Sequence, residues 1–425
     1  MNRILLVEPD FPIPPKSKNH KDFFPIGLLK IGAYLRSKGC EVKLTRGKPK
    51  NLNELNDINT FNPDEIWITS LFTYWAEYVK DVVHYYKELF PNAKTIVGGI
   101  FASLLPPKKV KNYTGCDEVV QGVIKEAEEF EPAYDLINNG KKIDFQIIHT
   151  TRGCPRKCSF CGTWKIEPKF IARKTIKDLI KFRKVVFYDN NLLLNPYIED
   201  ILGELIALKK EGKISWVESQ SGFDGRILYK KPYLAEMLKE AGFRYPRIAW
   251  DSGIGDFKKV EKEVKILIKG GYKSKDIFLF MIYNWDLSFE EMEQKRIKCW
   301  ELKVQISDCR YRPLDQLYDH YNPRKEQMLD DYYIHEKSGW TDQLVKQFRR
   351  NVREQNICVR HGFLFYSRVF ERKTFSKSTM QEIRSINDLK NKIKFLKILK
   401  VNYWIPNKIR YPKEHSNNKC LLNKN

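Results

Sequence analysis

Three cysteines, Cys154, Cys158 and Cys161, fall in the short stretch Thr151-Arg152-Gly153-Cys154-Pro155-Arg156-Lys157-Cys158-Ser159-Phe160-Cys161-Gly162. Thiolates hold iron–sulfur clusters, and four of them close a [4Fe–4S] cluster for electron transfer. Three leave one iron open to bind and activate a substrate. The competing readings are a zinc knuckle or three buried thiols. Structural zinc takes four ligands, usually in paired sets. No second cysteine pair lies nearby, and His149 precedes the loop without zinc-finger spacing. The loop is therefore read as a cluster site with a free coordination position.

The loop resembles the cluster motif of radical S-adenosylmethionine (SAM) enzymes. That resemblance implies that the amino and carboxylate groups of SAM chelate the fourth iron. It further implies that the reduced cluster donates an electron to the sulfonium, releasing methionine and a 5′-deoxyadenosyl radical that abstracts hydrogen from a substrate. An electron donor such as flavodoxin or ferredoxin is the implied partner. In that family the turn after the second strand receives the SAM amino group. Asp189 and Asn190 occupy that place here, without the Gly-Gly-Glu form common in the superfamily. Ser219, Gln220, Asp251 and Ser252 are candidates for the ribose hydroxyls, with helix-cap or turn roles as the alternative. Phe160 is expected against the adenine or the cluster, as is the matching aromatic of the family. Trp164 follows closely, with the same role or a plain core role.

These residues need a scaffold, and the sequence alternates strand and helix patterns. Apolar runs at Ile4–Val7, Ile66–Thr69, Thr95–Val97 and Glu118–Val120 read as strands, with helical spacing over Pro25–Lys38 and Ala76–Phe90. Such alternation implies a doubly wound parallel sheet over residues 1–140. Glu131–Lys142 reads as a linker. A second series follows over 141–315, with strands expected at Phe145–Ile148, Lys184–Tyr188, Ile214–Val217, Arg247–Trp250, Ile277–Ile282 and Lys303–Ile306. Helices are expected at Thr175–Phe182, Pro196–Lys210, Tyr233–Ala241, Phe257–Ile268 and Ser288–Cys299, the last opening on a capping-box pattern. Six strands with right-handed crossovers curl into a partial (β/α)6 barrel. Ligands of parallel sheets bind beyond the carboxyl ends of the strands. The cysteine loop and the segments Tyr188–Asn191, Glu218–Ser221, Asp251–Gly253, Tyr283–Asn284 and Ser307–Asp308 all fall there. The fold class is thus α/β, with a mainly helical, basic region over 316–425 and a polar tail at Tyr411–Asn425.

The first domain resembles the cobalamin-binding domain that precedes the barrel in many radical SAM enzymes. The matching residues are Ser70-Leu71-Phe72 and Val97-Gly98-Gly99-Ile100-Phe101-Ala102-Ser103. The resemblance implies that Gly98 and Gly99 let the backbone pass close to the nucleotide tail and that Ser70 hydrogen-bonds it. The loop Glu8-Pro9-Asp10-Phe11-Pro12 carries no Asp-x-His-x-x-Gly, so no imidazole is evident there as a cobalt ligand. Bound cobalamin and an empty domain used for substrate binding or packing both fit these residues.

Composition sets the remaining bounds. At 425 residues and 42% hydrophobic, the chain can bury substantial cores. No apolar run approaches a membrane span, and the opening apolar run is too short for a signal peptide. Cys40, Cys116, Cys299, Cys309, Cys358 and Cys420 lack paired spacing, so reduced thiols and a cytoplasmic location are expected. The net charge is +23, of which +13 lies from Tyr321 onward. Basic surface attracts nucleic acid, but lysine is abundant throughout and solvated faces explain the charge as well. Three functions remain open. The leading one is a radical SAM enzyme that functionalises an unactivated carbon, with cobalamin-dependent methyl transfer as one version. The second is an RNA-modifying radical enzyme without cobalamin, in which Tyr332, Tyr333, Trp340, Phe348, Phe363, Phe365, Tyr366 and Trp404 stack on bases or, alternatively, form a helical core. The third is a non-catalytic iron–sulfur protein.

Overall fold

The computed structural model describes residues 1–13, 24–137, 143–372 and 374–412. Residues 138–142 of the expected linker, the tail from 413 onward and Cys420 lie outside the described residues. The chain groups into two compact units. The first joins residues 1–221 with 312–321 and 330–333; the second joins 222–311, 322–329 and 334–425.

The first unit opens with five strands: β1 (Arg3–Glu8), β2 (Glu41–Arg46), β3 (Glu65–Ser70), β4 (Lys94–Gly99) and β5 (Glu118–Val119). All pair in parallel, in the order β2-β1-β3-β4-β5. The interior strand β1 is apolar because both its faces are covered, and Ile4 through Val7 are all buried. The helix Ala76–Leu89 buries Val79, Val82, Val83 and Tyr86, one stripe at helical spacing. Two of the elements that escape the sequence reading show why. The edge strand β2 alternates Val42 and Leu44 with charged neighbours, and the helix Leu52–Phe61 starts where the Asn51 side chain accepts from the Glu54 N–H at 2.9 Å.

The same unit then carries β6 (Phe145–Ile148), β7 (Thr151–Arg152), β8 (Ile171–Ala172), β9 (Lys184–Phe187) and β10 (Trp216–Ser219). Strands β10, β9 and β6 form a three-stranded parallel sheet, and β7 and β8 make a two-residue antiparallel ladder that brackets the cysteine loop. The helix expected at Thr175–Phe182 is reduced to a single 3-10 turn, Lys177–Leu179. The reason is competition for its N–H groups. The Lys181 and Phe182 N–H groups, which a helix would bond to carbonyls four residues back, go instead to the Gln146 amide oxygen at 2.6 and 2.8 Å.

The second unit holds β11 (Arg247–Ala249), β12 (Phe278–Tyr283) and β13 (Gln305–Arg310), parallel in that order. The six strands of the second series are thus all formed, as two three-stranded parallel sheets, one in each unit. Ser288 caps the helix Phe289–Leu302 by accepting from the Glu291 N–H at 3.2 Å. Trp340, Phe348, Phe365 and Tyr366 are buried, so these aromatics build the core of the helical region rather than a stacking surface. Buried Arg296 donates to Glu293 and to the Pro406 and Lys408 carbonyls, tying the last described segment to that helix. Among the described residues no helix is long and apolar enough to cross a membrane.

Candidate cluster and cofactor site

The cysteine loop leaves β6 through Thr150 and Thr151, both buried. Asp189, in the turn after β9, is fully buried, and its Oδ1 accepts the backbone N–H and the hydroxyl of each threonine, at 2.9 and 2.6 Å from Thr150 and at 2.5 and 2.7 Å from Thr151. Its Oδ2 is sealed from solvent with no hydrogen-bond partner among the described residues. Burial pushes this carboxyl up to about 6, against the pull of the threonine donors. Asp189 thus anchors the loop entry through its Oδ1.

Asn190 is the open member of the pair. Its Oδ1 accepts from the Thr163 hydroxyl at 3.4 Å, and that hydroxyl in turn accepts from the Cys161 thiol at 3.4 Å. Its Nδ2 donates to Glu167 at 3.2 Å. Glu167, which carried no sequence signal, also accepts the Gly153 N–H at 2.6 Å and pairs with Arg152 at 2.8 Å. Gly153 turns the chain at φ +73°, and a Cβ there would meet the Lys169 carbonyl oxygen at 2.3 Å. Further along, the Trp164 indole donates to the Cys158 carbonyl at 3.1 Å, and the Cys161 N–H donates to the same carbonyl at 3.1 Å. Trp164 is therefore a clasp on the loop.

Cys154, Cys158 and Cys161 are all partly exposed. Among the described residues no group of three or more His, Cys, Asp or Glu side chains is placed to hold a single metal ion. The three thiols therefore do not converge as a zinc site requires. Three thiolates from one loop, each taken at a different iron, are the donor chemistry that a [4Fe–4S] group would use. Phe160, between the second and third cysteines, is half-buried.

The other expected residues separate. Ser219 is the last residue of β10 and is buried, while Gln220 follows it, donates its N–H to the Phe187 carbonyl at 3.0 Å and lines a cleft. Asp251 and Ser252 belong to the second unit and are exposed. There the Lys295 ammonium donates to the Trp250 and Ser252 carbonyls, each at 2.8 Å. Ser70 is buried and its hydroxyl is engaged, donating to the Gly98 carbonyl at 2.6 Å and accepting from the Ala102 N–H at 3.2 Å. It stitches β3 to β4 instead of offering its hydroxyl. Gly99 sits at φ +93°, where a Cβ would lie 2.3 Å from the Ser70 carbonyl oxygen. Gly98 has no such constraint.

A cleft of about 510 Å³ opens within the first unit. Its walls include Glu8 at the end of β1, Ser70 to Phe72 after β3 and Gly98 to Ile100 at the end of β4. That is the carboxyl edge of the five-stranded sheet at its β1/β3 switch, where such sheets bind ligands. The opposite wall holds His149, Arg152, Glu167, Tyr188 and Gln220. An ionic chain crosses it: Lys30 pairs with Glu128 at 2.9 Å, Glu128 meets Arg152 at 3.7 Å, and Arg152 meets Glu167. His149 is held neutral, its pKa pressed well below 6.5 by burial and then by the Arg152, Lys30 and Arg173 cations. Gly162 of the cysteine loop packs under the side chain of Leu104, in the helix that follows β4.

Residues 17–131 match the family model described as the B12 binding domain. Among curated proteins, none matches this sequence. Among solved structures, similarity is found to a novel cobalamin-binding protein from Desulfitobacterium hafniense DCB-2, at 16% identity and TM-score 0.21, covering 30% of this chain and 55% of that one. The cobalamin-dependent S-adenosylmethionine radical enzyme OxsB, with aqua-cobalamin and S-adenosylmethionine bound, is similar at 15% identity and TM-score 0.44, covering 84% of this chain and 56% of that one. The chain thus spans a little over half the length of either structure.

Proposed function

We propose that this chain is a radical SAM enzyme whose N-terminal module binds cobalamin. The observation that carries the reading is the loop of three partly exposed cysteines, braced by Asp189 and Glu167 beside the cleft of a B12-type domain. When bound, the cluster supplies the electron that cleaves SAM to methionine and a 5′-deoxyadenosyl radical, and cobalamin supplies a carrier for methyl transfer to carbon.

The chain's own residues have definable work in this scheme. Cys154, Cys158 and Cys161 would hold three irons of the cluster and leave the fourth for SAM. Asp189 fixes the loop's entry, Glu167 fixes its first turn, and Trp164 fixes the carbonyl of Cys158. Asn190, linked through Thr163 to Cys161, is the group at this turn for the SAM amino function, and Gln220 is a candidate for the ribose. Gly99 lets the β4 turn pass against Ser70, which shapes the cofactor wall. A flavodoxin- or ferredoxin-type donor is the partner the scheme requires, and the carbon acceptor is the reaction's second substrate.

The test is anaerobic reconstitution with iron, sulfide and hydroxocobalamin, measuring iron, cobalt and 5′-deoxyadenosine together. Native protein is expected to bind four irons and one cobalamin and to make deoxyadenosine from SAM under reduction. Cys158→Ala, folded by circular dichroism, is expected to lose the deoxyadenosine. If the reconstituted native protein makes none, the radical assignment fails; if it retains no cobalt, the cobalamin assignment fails.

A further inference from the structure

His149 closes β6 and stands in the wall of the cleft. Its Nδ1 is sealed from solvent, and neither ring nitrogen makes a hydrogen bond with any described residue. The ring meets Tyr188 edge-on, centroids 6.3 Å apart and planes at 85°. A buried polar group without a partner is uncommon in a folded protein and calls for an explanation.

The surroundings narrow what that partner is. Three cations, Arg152, Lys30 and Arg173, bear on the ring and oppose a proton on it. Two of them are already committed, Lys30 to Glu128 and Arg152 to Glu167. The imidazole therefore keeps a nitrogen lone pair, the form in which histidine ligates metals. Yet among the described residues no set of three His, Cys, Asp or Glu can hold an ion, so His149 lacks the companions of a protein-built site. A corrin supplies four equatorial nitrogens itself and needs only an axial ligand from outside. The loop after β1, Glu8-Pro9-Asp10-Phe11-Pro12, offers no imidazole for that purpose.

We propose that His149 supplies an axial nitrogen ligand to the cobalt of the cobalamin bound in this cleft. The proposal rests on the cobalamin assignment made above. The ligand stands five residues before Cys154, just past the end of the strand that leads into the cysteine loop.

The probe is cob(II)inamide, which lacks the nucleotide base, so that any nitrogen beyond the corrin must come from protein. Electron paramagnetic resonance of the native full-length chain loaded with it is expected to show three-line splitting from one nitrogen on each cobalt line. Incorporation of 15N-histidine is expected to change three lines to two, and His149→Phe to abolish the splitting while iron content stays unchanged. Retention of cobinamide without nitrogen splitting, or splitting that survives in His149→Phe or is unmoved by 15N-histidine, overturns the ligand and leaves the cobalamin assignment standing. Failure of native protein to retain cobinamide or hydroxocobalamin overturns both. The labelling arm needs no variant, so a misfolded His149→Phe does not blunt the test.

Discussion

The carboxylate of Asp189 holds Thr151 by two hydrogen bonds to one oxygen, from the backbone N–H at 2.5 Å and from the hydroxyl at 2.7 Å. Thr150 repeats the pattern on the same oxygen. One buried acceptor therefore fixes the point where the strand gives way to the cysteine loop. Asp189→Ala orphans two buried N–H groups and is expected to destabilise the first unit by about 3 kcal/mol. Iron retained per chain after reconstitution should fall with it. Asp189→Asn keeps the Oδ1 acceptor and should retain iron within about twofold of native, the distinction between an anchoring role and a charge-dependent one.

The same carboxyl carries a pH signature. Its folded value of about 6 lies above the ordinary 3.8, with burial as the first cause. Between those values the folded state binds more protons than the unfolded. Asp189 thus contributes stability that is fully present below about pH 4 and is lost as pH rises through about 6. A shift of this size corresponds to at most about 3 kcal/mol. His149 has the opposite sign, since its depressed pKa costs stability as pH falls below about 6.5. Urea midpoints of native protein and Asp189→Asn, compared at pH 4.5 and 7 before cluster reconstitution, separate the two. The native advantage over the Asn variant should be larger at pH 4.5; a constant difference would show that Asp189 is ionised throughout.

Much of this was legible in the chain. The strands whose both faces are covered, such as Ile4–Val7, announced themselves as apolar runs, and the cysteine spacing placed the loop after the right strand. The edge strand β2 was missed because its charged alternation resembles surface. The 3-10 turn at Lys177–Leu179 was missed because Gln146, distant in sequence, takes the N–H groups a helix would use. The site shows the same limit. Residue types placed Asp189 at the turn, but only burial shows that it faces the loop entry, and Glu167 had no local pattern at all.

Gly98 and Gly99 were read as a pair, and the backbone separates them. Gly99 adopts φ +93° with its absent Cβ directed at the Ser70 carbonyl oxygen, 2.3 Å away, whereas the nearest atom to a Cβ on Gly98 lies 3.6 Å away. Gly99→Ala should destabilise the first unit by about 2–4 kcal/mol and weaken hydroxocobalamin retention at least about tenfold, the equivalent of 1.4 kcal/mol. Gly98→Ala should stay within about 1 kcal/mol of native. Equilibrium unfolding and cobalt content after gel filtration check both. Equal effects of the two substitutions would remove the close approach as the reason for glycine.

Lys295 offers a prediction in the second unit. Its ammonium is buried, donates to the Trp250 and Ser252 carbonyls and lies 5.0 Å from the Trp250 ring centroid. Lys295→Met leaves both carbonyls without their donor and removes the cation–π contact, an expected loss of about 2–4 kcal/mol. Burial lowers the lysine to about 8 from 10.5. Between those values the unfolded chain binds more protons, so this group's contribution to stability rises with pH from about 8 to 10.5. Thermal unfolding of native protein and Lys295→Met at pH 7.5 and 9.5 should show the gap widening at the higher pH. An unchanged gap would mean instead that the two carbonyls hold the ammonium charged throughout this range, their attraction offsetting the cost of burying it.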